Sequence, residues 1–251
     1  MRNSMRKIHV VPLKESIDPE KLKDCVAVVY DVFLATSTIL FLLEKNYGPV
    51  TAVENEAAAR AFRASAQTPA VMIGESEGDP IEDFLYPDPQ QIDPADRGER
   101  AVFCSTNGTR ALEKAKGARE LLIGSLLNGR SLAAYITEET ESDSIVIVAA
   151  GNAGRLSVED MVGGGHLVDE LLKLDEFQLS DAAVIAHRLY AESANADHRD
   201  LLDVETFHLL EAKGFPDAAE YVIQHKDQVP VVARYSAEER GIVKLRKGVF
   251  P

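Results

Sequence analysis

The chain has 251 residues, long enough to bury about 70% of its unfolded surface in one large core or two closely joined ones. It carries 27 Lys and Arg against 41 Asp and Glu, a net charge of −14 that argues against nucleic acid or an anionic membrane as partner. Cys25 and Cys104 each sit in apolar, strand-like sequence and read as buried thiols. The basic start up to Arg6 is soon followed by Lys14 and Glu15, leaving no room for a signal-peptide core, so the expected location is the cytoplasm.

Short β-branched runs predict strands at Lys7–Leu13, Ala27–Val32, Val50–Val53, Ala70–Ile73, Ala101–Cys104, Glu120–Ile123 and Ser144–Ala149. Helical patterns lie between most of them, including Thr36–Asn46, Asn55–Ala66 with Asn55 as cap, and Ala111–Lys116. This rhythm predicts an α/β fold of layered α/β/α type, with a largely parallel or mixed sheet covered on both faces. Beyond Gly151 the pattern becomes helical at Ser157–Leu174, Ser180–Tyr190, His198–Lys213 and Asp217–His225. Two final strands are expected at Val231–Tyr235 and Ile242–Leu245. No repeat or linker divides the chain, which reads as one domain over 1–251 or two intimately packed α/β subdomains meeting near 150. The helix-rich second half is compatible with a homo-oligomer. The longest irregular stretch, Gly74–Arg100, is of the length expected for a functional or mobile loop.

Four segments carry candidate chemistry. In the first, the buried strand ending at Asp31 is followed by Thr36, Ser37 and Thr38 at a helix start. There the hydroxyls and backbone N–H groups can meet a phosphate, or simply cap the helix. In the second, Glu75, Glu77 and Asp79 lie among glycines, an oxygen-rich set suited to a hard cation such as Mg²⁺ and equally to an acidic surface loop. The third, Asn107-Gly108-Thr109 before a helix, offers a close backbone approach to an anion, with Arg110 nearby, or an Asn-Gly turn with a cap. In the fourth, Gly151 and Gly154 permit a tight turn, Arg155 can grip an oxyanion, and Glu159 or Asp160 adds a carboxylate; Ser157 with Asp160 also fits a capping box. The histidines, His166, His187, His198, His208 and His225, fall in helical patterns without a metal-binding pair and read as core or surface residues.

The order and wording of these four segments resemble the 2-phosphosulfolactate phosphatase family over about residues 26 to 190. Asp31 to Thr38 matches a strand end of the type Asp-Val-Leu-Arg-Ala-Thr-Ser-Thr. Gly74 to Gly78 echoes Gly-Glu-Arg-Gly-Gly, Cys104 to Thr109 echoes Thr-Thr-Thr-Asn-Gly-Thr, and Gly154 to Asp160 matches Gly-Arg-Phe-Ser-Leu-Glu-Asp. The resemblance implies that family's phosphatase fold and Mg²⁺-dependent hydrolysis of a small anionic phosphate ester, 2-phosphosulfolactate or a related phospho-acid, as in coenzyme M biosynthesis. It places Asp31 and Glu75 as catalytic groups and Asp31, Glu75 and Asp160 as metal ligands. Thr36, Ser37, Thr38, Asn107, Gly108, Thr109, Gly154 and Arg155 surround the substrate. Leu34 and Ser76 stand where the family motifs carry arginine, so altered substrate choice or a catalytically impaired, ligand-binding member is the alternative.

Overall fold

The computed structural model describes residues 5–66, 69–95 and 99–247. Part of the basic start (1–4) and of the long proline-bearing stretch (96–98) therefore lies outside the described residues. The strands are β1 (Arg6–Val11), β2 (Val26–Tyr30), β3 (Val50–Val53), β4 (Ala70–Ser76), β5 (Asp79–Pro80), β6 (Arg100–Cys104), β7 (Glu120–Gly124), β8 (Ser144–Ala149), β9 (Phe177–Leu179), β10 (Val231–Ser236) and β11 (Gly241–Lys247). The helices are α1 (Pro19–Leu22), α2 (Ala35–Glu44), α3 (Glu56–Ser65), α4 (Gly108–Ala115), α5 (Gly129–Glu139), α6 (Val158–Leu174), α7 (Asp181–Ala194), α8 (Glu205–Lys213) and α9 (Pro216–Gln224). The expected α/β class holds, with a mixed sheet of eleven strands among the described residues.

The sheet consists of two parallel blocks joined by a hairpin. One block runs β7-β2-β8-β1-β9 and the other β4-β6-β3, each parallel within itself. Between them β10 pairs antiparallel with β7, β11 pairs antiparallel with β10, and β11 meets β3 antiparallel through the single pair Ile242 and Val50. By this register the two blocks run in opposite directions. The inner strand β2, Val-Ala-Val-Val-Tyr, is buried at every position, as a strand covered on both faces requires.

Local chemistry sets several helix starts. The Asn55 side chain accepts the Ala58 N–H at 2.9 Å and so caps α3 as its sequence predicts; Ser180 caps α7 through the Ala183 N–H. The expected capping box at Ser157 does not form, because the Asp160 carboxylate turns away to bind backbone N–H groups of Val32 and Gly151. The single helix expected at His198–Lys213 is two pieces. His198 takes a left-handed conformation, a short 3₁₀ turn spans Arg199–Asp203, and α8 begins only after the extended Val204. The helices α1 and α5 and the edge strand β9 carry short or weak patterns and add to the predicted set. Among the described residues no helix is long and apolar enough to cross a membrane.

Candidate active site

The carboxyl ends of strands from both blocks open on one cavity of 330 Å³. Asp31 follows β2, Glu75 lies near the end of β4, Ser105 to Asn107 follow β6, and Asn152 and Ala153 follow β8; α8 contributes Thr206, Leu209 and Leu210. Three carboxylates, Asp31, Glu75 and Glu77, line the cavity, and among the described residues no lysine or arginine does. A larger cavity of 560 Å³ lies where β3 and β11 part beneath α3 and α4 and shares no lining residue with the first. It lacks the convergence of strand ends and buried acids, so the smaller cavity is the better place for chemistry.

Asp31 sits where two helices begin. Its Oδ1 accepts the Ala35 N–H of α2 at 3.4 Å, and the Gly108 N–H of α4 also points to its carboxylate. A β-carbon added at Gly108 would lie 2.7 Å from Asp31 Oδ2 and 2.6 Å from the Ala35 β-carbon, so only glycine lets the two helix starts close on this acid. Two helix N-termini favour the anion. Burial and the neighbouring charges of Glu75 and Glu159 outweigh them and push the Asp31 carboxyl up to about 7.

Glu75 is fixed at both oxygens. Oε1 accepts the Thr106 N–H at 2.6 Å, while Oε2 accepts the Gly78 N–H at 2.6 Å and the Thr106 hydroxyl at 3.1 Å. Asn107 is fixed from behind by Lys14, whose buried Nζ donates to Asn107 Oδ1 at 2.9 Å and to the Ala150 carbonyl at 3.2 Å. The Ala153 N–H approaches the same Oδ1 at 3.4 Å. With Oδ1 occupied by donors, the amide nitrogen of Asn107 is the group left to serve the cavity. In the sequence Lys14 is only a charge that interrupts an apolar run. Its sole sequence signal was a lysine directly after a strand, Val10-Val11-Pro12-Leu13.

The other expected site residues fall into four groups. Thr36, Ser37 and Thr38 are fully buried and turned into the fold. Thr36 exchanges hydrogen bonds with the Asp31 backbone, Ser37 bonds the Val32 carbonyl and Ser125, and Thr38 bonds the Pro87 carbonyl. Thr109 closes a local loop with Ser105 at the start of α4. Asp160 stands behind Asp31: its two oxygens accept the Val32 and Gly151 N–H groups at 2.8 and 3.0 Å. Burial and the charges of Asp31 and Glu159 push it well above the ordinary carboxylate range. Gly154 sits with φ +77° in an open turn, and Arg155 reaches outward to Glu205 at 2.6 Å, with 60% of its side chain exposed. Asp31, Glu75 and Asn107 are therefore brought to one cavity, with Gly108 packed against Asp31. Arg155 stands beside the cavity and pairs with α8.

Leu34 lines the cavity together with Phe33 and with Leu209 and Leu210 of α8, while Ser76 is exposed at the end of β4. The Tyr86 ring, also in the lining, stacks on Phe215 with centroids 3.5 Å apart. Elsewhere, His166, Glu170 and Asp227 place ligand-type atoms within 4.8 Å of one another, a grouping the sequence did not announce. Lys226 and Lys173 pair with its two acids at 3.1 and 2.7 Å, so it is a buried ion network already balanced by cations.

The sequence model of the 2-phosphosulpholactate phosphatase family matches residues 11–238. The chain belongs to the 2-phosphosulfolactate phosphatase family. A probable 2-phosphosulfolactate phosphatase of Clostridium novyi is 29% identical over 231 residues, 91% of this chain and 97% of that protein. Proteins with the same name from Caldicellulosiruptor saccharolyticus and Caldanaerobacter subterraneus are 31% and 34% identical, covering 88% and 72% of this chain and 93% and 75% of their own lengths. The match to this phosphatase family covers every residue that lines the acidic cavity, from Asp31 to Leu210.

Proposed function

We propose that the protein is a Mg²⁺-dependent phosphatase that hydrolyses a small phosphate monoester, of which 2-phosphosulfolactate and 2-phospholactate are the reference compounds, to the hydroxy acid and inorganic phosphate. The observation that carries this reading is the convergence of Asp31, Glu75 and Asn107 in one cavity at strand ends. The reading is supported by membership of a phosphatase family.

The donor set fits a hard divalent cation: it is all oxygen, it is dense in carboxylates, and Asp31 is held as a high-pKa acid chiefly by burial and Glu75. Asp31 and Glu75 would hold the ion, which supplies positive charge to the phosphoryl oxygens. Mg²⁺ keeps several waters and takes one or two protein carboxylates, so two fixed acids suffice. Asp160 lies outside the cavity lining and, through the Val32 and Gly151 N–H groups, braces the backbone around them.

Asp31 is the reacting carboxylate, since it is the acid held at the meeting of two helix starts and not clamped at both oxygens by short bonds. Asn107, oriented by Lys14, donates its amide N–H to a phosphoryl oxygen, a donor set in place before the substrate arrives. Asp31 takes a proton from the attacking water as the water oxygen bonds to phosphorus and returns it to the ester oxygen as the phosphorus–oxygen bond breaks, so that the hydroxy acid and phosphate depart. Phosphate release from the two reference esters with Mg²⁺, set beside calorimetric titration of Mg²⁺ into wild type, Asp31→Asn and Glu75→Gln, tests the assignment. Turnover by wild type with metal binding lost in both variants is expected; wild-type metal affinity in both variants would overturn it.

A further inference from the structure

We infer that the preferred substrate carries no sulfonate or other third anion beyond its phosphate and carboxylate, and that the part of it facing α8 is apolar; this rests on the phosphatase reading of the same cavity. Two observations carry it. The lining includes the apolar side chains of Leu34, Leu209 and Leu210 and the Tyr86 ring, with Leu209 against Gly78 and the Tyr86 hydroxyl on the Gly78 carbonyl. The charged groups that line the cavity are Asp31, Glu75 and Glu77, and no cation among the described residues joins them.

The nearby cations are committed elsewhere. Lys14 is spent on Asn107, Ala150 and Glu15, Arg155 on Glu205, and Lys213 on Asp79. A metal ion at Asp31 and Glu75 balances the phosphoryl group. A sulfonate on the same molecule would then lie against Leu34 and the leucines of α8, giving up water with no donor of opposite charge in return. A methyl or larger alkyl group in that place loses nothing and gains contact. The specificity therefore lies in the lining itself: Leu34 and Leu209 accept the apolar substituent and reject the charged one.

The matched pair for the test is 2-phosphosulfolactate and 2-phospholactate, which differ only by a sulfonate in place of a hydrogen, extended to 2-phospho acids with longer alkyl chains. With Mg²⁺ at one fixed ionic strength, wild type should turn over 2-phospholactate with kcat/KM at least about tenfold above the sulfonated ester, the worth of one charge-assisted contact. The alkyl series should rise until the cavity is filled. Leu34→Arg, and separately Leu209→Arg on the half-buried face of α8, should each shift that ratio about tenfold toward the sulfonated ester, chiefly through KM. Equal or better use of the sulfonated ester by wild type overturns the inference, as does an unchanged ratio in both arginine variants. If no ester is turned over, the catalytic reading fails, and calorimetry of wild type with the non-hydrolysable phosphonates of the same pair decides the inference by itself. Tighter binding of the unsulfonated phosphonate upholds it; tighter binding of the sulfonated one, or binding of neither, removes it.

Discussion

Lys14 Nζ reaches Asn107 Oδ1 at 2.9 Å across 93 residues of sequence, from a position only 4% exposed to solvent. The contact joins the turn after β1 to the turn before α4 and fixes which end of the Asn107 amide faces the cavity. Lys14→Met leaves that amide free to rotate and the Ala150 carbonyl without its donor. The expected result is a fall in kcat/KM of roughly tenfold to a hundredfold, with stability lower by about 1 to 3 kcal/mol. Asn107→Ala should lose as much activity, and the double variant little more than either, since the two act as one unit. Additive losses in steady-state assays would break the link.

Gly108→Ala puts a methyl group inside contact distance of both Asp31 and the Ala35 β-carbon. One of the two helix starts must move away from the acid. The variant should melt well below wild type, by about 2 kcal/mol or more in urea titration, and keep under a hundredth of wild-type activity. Wild-type activity in Gly108→Ala would show that the closeness of α2 and α4 at Asp31 is not needed.

Asp31 gives the metal-free protein a characteristic pH response. Its carboxyl lies at about 7 in the folded chain against an ordinary 3.8, so between these values the folded chain keeps a proton that the unfolded chain releases. Stability from this group is therefore greatest toward the acid end of that window, falls as pH rises to about 7 and is flat above it. The fall should be on the order of 1 to 4 kcal/mol. It should be clearly smaller in Asp31→Asn, where Asp160 remains the raised acid, and that variant is expected to be inactive yet more stable than wild type at pH 8. Urea midpoints of the two proteins at pH 5 and pH 8, without metal, check this. Parallel curves for the two would place the Asp31 carboxyl in the ordinary range. Saturating Mg²⁺ should raise the wild-type midpoint more at pH 8 than at pH 5, because at the lower pH it must displace a proton.

Arg155 pairs with Glu205 while both side chains are largely exposed, 60% and 65%. Such a pair contributes about 0 to 1 kcal/mol and weakens with salt. Arg155→Ala should therefore leave kcat within about threefold of wild type, with a modest change in KM as the start of α8 loosens. A loss of about a hundredfold or more in kcat, the cost of removing a transition-state donor, would instead put the guanidinium on the phosphoryl group.

The strands were readable because a buried β-branched run such as Val26 to Tyr30 or Ile145 to Ala149 has few other uses. Asn55 and Ser180 were readable as caps because a cap is a local bond between near neighbours in sequence. Strand direction was not, since nothing local in β3, β4 or β6 records that they oppose β2; that follows from where β10 and β11 insert. At the site, the acids Asp31 and Glu75 stood out by their place at strand ends. The hydroxyls of Thr36, Ser37 and Thr38 did not reveal their direction, because capping, backbone bonding and phosphate binding share one sequence signature. Lys14 was hidden for the opposite reason: its partners Asn107 and Ala150 are remote, and a lone lysine after a strand carries no pattern.

The seam between the two blocks has a consequence for how the enzyme comes into being. Asp31 belongs to one block and Glu75 to the other, yet β10 and β11, which lie between the blocks in the sheet, are the final strands in chain order. Both acids are thus synthesised long before the hairpin that seats their strands in one sheet. A growing chain can fold β2, α2 and β3 early, but the paired carboxylates reach their working separation only when the hairpin docks. On the metal-dependent reading proposed above, Mg²⁺ affinity should appear only after β10 and β11 have been made.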